Sequence, residues 1–133
     1  MKRSGLRQIL SVALAVISVS GWTVAYAAGG DAKKGKQKYT ENMRCSACHG
    51  DTGLGNGPAA VALNPKPRNF QDGAYMNPKP DETLFKVIKQ GGPAAGLSPL
   101  MAPFGSQLSD KEIWDVIAFI RSLAKPKYEP PKK

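Results

Sequence analysis

Over the last third of the chain the apolar residues fall into a helical rhythm. Ile113, Val116, Ile117, Ile120 and Leu123 trace one stripe, widened by Trp114 and Phe119, at the period of an amphipathic helix. Ser109 stands at its cap, Glu112 three residues on completes a capping box, and Leu108 with Ile113 can form a hydrophobic staple. Lys125-Pro126 stops it. A second helix is predicted after Pro80, with Asp81 as its cap, Leu84, Phe85, Val87 and Ile88 facing inward, and Gly91 or Gly92 ending it. A third spans Asp31 to Arg44, with Asp31 as N-cap and Ala32, Gly35 or Lys36, Tyr39 and Met43 at helical spacing. Between these helices the chain reads as loop. Gly50 to Pro58 is glycine-rich, Ala59 to Leu63 fits a single helical turn, Asn64 to Phe70 runs extended because a residue before proline avoids the α region, and Gly92 to Gly105 is loop again. No repeat or strand-like alternation competes, so the pattern predicts an all-α fold.

Composition adds that the domain is small. Pro 11 and Gly 14 in 133 residues describe a loop-rich unit of the kind that usually needs a staple or a cofactor to be stable. The first 27 residues stand apart from it. Lys2, Arg3 and Arg7 make a basic start, Ile9 to Val19 an apolar run, and Ala25-Tyr26-Ala27 a small-x-small cleavage site. The expected organisation is therefore a secretory signal over 1–27, a domain over 28–125 and a flexible Pro/Lys-rich tail over 126–133. Export to the periplasm follows. The competing expectation is an uncleaved membrane anchor, since no charge interrupts the chain between Arg7 and Asp31. Net charge is +9, part of it in the leader. Lys33, Lys34, Lys36 and Lys38 read either as a solvated helix face or as a docking patch for an acidic partner. Nucleic acid is not an expected partner of an exported chain.

The chemistry is concentrated in Cys45-Ser46-Ala47-Cys48-His49, which holds both cysteines and the only histidine. Two thiols at this spacing with an imidazole directly after the second read as a c-type haem attachment site. A structural zinc needs four ligands, and no fourth Cys or His exists here. A thioredoxin-like pair needs a βαβ pattern, and a plain disulfide gives His49 no task. The glycine-rich stretch that follows lacks the preceding strand and the closing Gly-Lys-Ser/Thr of a phosphate loop. A thioether can take the opposite face of a haem iron. Met43 is too near Cys45 to reach it, which leaves Met76, in the stretch Ala74 to Pro78, and Met101, between Pro99 and Pro103. Met101 is the better placed, because the long helix just after it can pin its loop.

From about Asp31 to Ala124 the chain resembles the class I c-type cytochromes. The resemblance rests on an N-terminal helix running into Cys45–Gly50, the Gly57-Pro58 pair shortly after, a Met in a Pro/Gly loop, and the closing helix from Leu108 to Leu123. It implies a small cytochrome c fold, three main helices with long loops around one covalent haem c. In that family's pattern Cys45 and Cys48 carry the thioethers, His49 and Met101 are the axial ligands, and the Pro58 carbonyl accepts a hydrogen bond from the other nitrogen of His49. Gly35 and Tyr39 resemble the glycine and aromatic residue where the terminal helices cross, but they stand further ahead of Cys45 than is usual. Residues 42–44 are therefore expected to bulge or unwind. Arg68 is expected to bind a haem propionate through two guanidinium donors. Phe70, Phe85, Leu97, Leu100, Phe104, Trp114 and Ile117 are candidates for the apolar walls.

With both axial positions filled, oxygen or peroxide finds no open site, and one-electron transfer is the chemistry that remains. The expected protein is a monomeric periplasmic carrier, not an enzyme, that meets redox partners through their acidic surfaces. The alternative is a haem subunit held in, or anchored to, an oxidoreductase complex. A five-coordinate haem enzyme or gas sensor would require an iron that Met101 does not reach.

Overall fold

One side chain decides where the first helix begins. The Asp31 carboxylate accepts hydrogen bonds from the backbone N–H of Lys33 at 2.9 Å and Lys34 at 3.1 Å, as an N-cap residue does, and α1 runs Ala32–Thr40. The computed structural model describes residues 29–41 and 44–130. The leader expected over 1–27, Met43 and most of the expected bulge over 42–44 lie outside the described residues. The helix stops at Thr40, short of the expected Arg44. Glu41 leaves the helical region with ψ 124, and the chain turns back so that Cys45 N–H reaches the Tyr39 carbonyl at 3.2 Å.

Then come α2 (Ser46–His49), a 3-10 helix (Pro58–Ala62), α3 (Gly73–Met76), α4 (Asp81–Gln90), a second 3-10 turn (Gly92–Ala95) and α5 (Asp110–Leu123). The capping box of α5 is present as predicted, with Ser109 N–H donating to Glu112 Oε2 at 2.9 Å and Ser109 Oγ accepting from Glu112 N–H at 3.3 Å. For α4 the cap position belongs to Pro80 instead of Asp81. The Asp81 carboxylate is engaged elsewhere, 2.7 Å from Arg121 Nε. Among the described residues there is no strand, only an isolated bridge between Asp72 and Lys125.

The core lies where α1 crosses α5. A Cβ on Gly35 would stand 1.8 Å from the Asp115 carbonyl oxygen, so the two backbones touch and only glycine fits. Tyr39, one turn on, is fully buried, packs edge-on against Phe119 with centroids 5.1 Å apart, and donates its hydroxyl to the Gly50 carbonyl at 2.8 Å. That bond ties the helix crossing to the residue after His49. Asp115, buried on α5, accepts from Asp31 N–H at 2.8 Å and from Lys111 Nζ at 2.9 Å, which fixes the start of α1.

The chain beyond α5 is held further than expected. Lys125 N–H donates to Gln71 O at 3.0 Å, Asn77 Nδ2 to Pro126 O at 3.1 Å, and the Tyr128 ring lies 4.0 Å from the Arg121 guanidinium carbon. Pro126 to Tyr128 thus lie against the body of the protein. No helix among the described residues is long and apolar enough to cross a membrane.

Candidate haem site

The site is built on α2, a single turn. His49 N–H donates to Cys45 O at 2.9 Å, and Gly50, at φ 75, breaks the turn in a conformation that favours glycine. The loop that follows folds back under α2, with Gly55 N–H on His49 O at 2.8 Å and Gly57 N–H on Cys48 O at 3.0 Å. Cys45 is buried, which pushes its thiol up to about 11; Cys48 is half-buried and lines the cleft described below.

The imidazole of His49 is fixed twice. Its ring stacks on Phe70 with centroids 4.3 Å apart, and its Nδ1 lies 3.0 Å from the Arg68 carbonyl oxygen. A carbonyl can only accept, so Nδ1 carries the hydrogen and Nε2 keeps its lone pair free for a metal. Burial holds the His49 pKa below its ordinary value, partly opposed by the Arg68 hydrogen bond, and the neutral ring is the ligating form.

This corrects the role expected of Pro58. Pro58 opens a 3-10 helix, where carbonyls point along the helix axis, and the acceptor beside His49 is the Arg68 main chain. The Arg68 side chain does reach the site, its guanidinium carbon 3.7 Å from the centre of the Tyr75 ring.

Cys48 and His49 open onto a cleft bounded by α4, the run 63–70 and the loop 97–101. Met76 and Met101 both line it. Met76 is 2% exposed and belongs to the hydrophobic core. Met101 is half-buried in a loop whose path is fixed by Gly92 N–H on Met101 O at 2.8 Å and Met101 N–H on Ser98 O at 3.2 Å. Of the apolar residues expected at the walls, Phe70, Leu97 and Leu100 line the cleft, whereas Phe85, Phe104, Trp114 and Ile117 do not. Phe85 instead stacks on Trp114 at 4.9 Å. Lys66, Arg68 and Lys79 line the cleft, and among the described residues no carboxylate does. Lys79 and Tyr75 went unnoticed in the sequence, where nothing distinguishes them from other loop residues.

These residues fit a haem c. There are two thiols and an imidazole at one turn, thioethers of Met76 and Met101 along the cleft, apolar walls, and cations where carboxylates could be met. Residues 30–120 match the family described as cytochrome c oxidase, cbb3-type, subunit III. The chain belongs to this family of c-type cytochromes. Its relatives include cytochrome c-554(548) of Halomonas halodenitrificans, 32% identical over 70% of this chain and 96% of that protein. Another is the thiosulfate dehydrogenase of Allochromatium vinosum, 35% identical over 66% of this chain but only 30% of that one. Among solved structures, a chain of the Kuenenia stuttgartiensis reducing HAO-like protein complex superposes with a TM-score of 0.56 at 27% identity, over 70% of this chain and 43% of that one. The KustC0563 c-type cytochrome superposes with a TM-score of 0.51 at 25% identity, over 68% and 96%.

The cytochrome therefore carries covalent haem c, and its chemistry is haem-based electron transfer. A haem held there would supply one-electron redox chemistry. The chain supplies the rest. Cys45 and Cys48 match the thioether positions, the Arg68 carbonyl and Phe70 orient His49, and the cleft would border the group with mainly apolar side chains.

Proposed function

We propose that this cytochrome is an exported, monomeric electron carrier that passes single electrons through a six-coordinate haem, with His49 and Met101 as axial ligands. What supports Met101 over Met76 is its setting: its loop is held by backbone bonds at both Gly92 and Ser98, whereas the Met76 side chain fills the core beside α5. A neutral thioether favours ferrous iron and raises the potential, which suits a carrier. Arg68 is the residue that meets a haem carboxylate. The cleft has cations at its wall and no acid, so the partners present acidic surfaces, and association weakens with salt. The compartment is the periplasm.

The test is the ferric absorption spectrum of the haem-loaded protein, read at the red to near-infrared band of sulfur-to-iron charge transfer. The band is expected in the parent and in Met76→Leu, a swap that keeps side-chain volume, and lost in Met101→Leu. Loss in Met76→Leu alone would assign the ligand to Met76.

A second reading is a haem domain working within an oxidoreductase assembly. The match to 30% of a thiosulfate dehydrogenase favours it, since there a domain of this kind is part of a longer chain. Co-purification of the native cytochrome with one stoichiometric oxidoreductase through high salt would support this reading over the diffusible carrier.

A further inference from the structure

Arg121 lies on α5 with only 6% of its surface exposed, and it makes no contact that the haem attachment motif would explain. Its whole fork is used on one short segment. Nε donates to Asp81 Oδ1 at 2.7 Å, one terminal nitrogen to the Met76 carbonyl at 2.6 Å, and the other to the Lys79 carbonyl. The segment it grips, between α3 and α4, is a wall of the cleft. Tyr75, Met76, Lys79, Thr83 and Leu84 all line that cleft, and so does Ile120, the residue before Arg121.

That wall also carries charge. Arg68 and Lys79 both approach the Tyr75 ring, the guanidinium carbon at 3.7 Å and the ammonium at 4.5 Å from its centroid. The two cations are thus within about one Debye length of each other at physiological salt. Like charges beside a cleft without carboxylates repel, and besides the Tyr75 ring that attracts both it is the hold on the backbone beneath them that keeps them in place. Arg121 holds it, at the carbonyl of Lys79 itself.

We propose that Arg121 is a positioning residue of the haem site, which fixes the Tyr75–Lys79 wall and thereby keeps the haem reduction potential high. Two effects of the wall act in the same direction. Nearby cations disfavour the ferric state, which carries one more positive charge than the ferrous state. Tyr75 and Met76 on the same wall keep water from solvating that extra charge. A loosened wall lets the cations move away and water enter, so the potential falls. The proposal rests on the haem site and not on which methionine binds the iron.

The experiment is redox titration of the haem-loaded, full-length protein in four variants besides the parent. Arg121→Lys keeps the charge but not the fork. Arg121→Met with Asp81→Asn removes the ion pair without changing net charge. Asp115→Asn weakens the α1–α5 contact away from the cleft and controls for general destabilisation. Met101→Leu separates the ligand question. The account predicts a lower potential in Arg121→Lys and in the charge-neutral double variant, with exchange of the sixth ligand for added imidazole faster by about tenfold, the equivalent of one lost charge-assisted hydrogen bond. It predicts an unchanged potential in Asp115→Asn, although that variant melts earlier. A parent-like potential and exchange rate in both Arg121 variants would overturn the proposal, as would an equal fall in Asp115→Asn. If the double variant does not mature, Arg121→Lys carries the decision. A charge-transfer band that survives in Met101→Leu would count against the axial ligand and leave the Arg121 result standing.

Discussion

The imidazole of His49 lies nearly flat against Phe70, the two planes inclined by 18°, while its Nδ1 meets the carbonyl of Arg68 two residues earlier in the chain. One short extended segment therefore sets both the tilt and the rotation of the ring. Phe70 in turn packs edge-on towards Tyr39, with centroids 6.4 Å apart, and Tyr39 is bound to the Gly50 carbonyl. The His49 ring is coupled to the helix crossing through two aromatic side chains.

Phe70→Ala should therefore cost about 3–5 kcal/mol, the range for deleting a buried Phe, since Phe70 is 9% exposed. Phe70→Leu should cost clearly less. Guanidinium unfolding of the haem-loaded variants measures both, and a parent-like midpoint in Phe70→Ala would show that the stack contributes nothing.

Gly35 and Gly96 make a matched pair. Gly35→Ala would drive a Cβ into the Asp115 carbonyl at 1.8 Å, whereas a Cβ on Gly96 meets nothing within 4 Å but sits at φ 68. Gly96→Ala should lose only the left-handed backbone penalty, about 1–2 kcal/mol. Gly35→Ala should lose more, because α1 must lift from α5. Thermal melts of the two variants test the order.

Much of this was legible in the sequence, and the illegible part has a common cause. The Cys45–His49 motif and the closing helix with its capping box are local, since each is specified by residues within a few positions of one another. The Gly35 crossing was legible as a resemblance, and its place on α5 is now defined by Asp115. The acceptor beside His49 was not legible, because any residue has a carbonyl and only the fold decides which one arrives there. Pro58 was expected and Arg68 is found. The same holds for Arg121, whose partners lie 40 or more positions away and leave no periodic trace. The docking of Pro126 to Tyr128 likewise depends on contacts between distant segments, Lys125 on Gln71 and Asn77 on Pro126.

Acid should weaken the protein at one identifiable place. The N–H of Ser109, followed by the Lys38 ammonium, holds the Glu112 carboxyl well below its usual 4.5, at about 2. A lowered pKa in the folded state means that this contribution is complete above about pH 4.5 and is lost as pH falls towards 2. Glu112→Gln should lower stability at neutral pH and flatten the dependence between those values. Because the pair with Lys38 is about one-third exposed on both sides, added salt should shrink the difference. Unfolding midpoints at several pH values, with and without salt, give the comparison.

With both faces of the iron filled by protein, as proposed, electrons pass and gases do not bind. The most direct measurement adds carbon monoxide to the dithionite-reduced, haem-loaded cytochrome at neutral pH and follows the Soret band. The account predicts an unchanged spectrum in the parent and a carbon monoxide complex in Met101→Ala. Rapid formation of that complex in the parent would mean an open iron, and the carrier reading would give way to a haem enzyme or gas sensor.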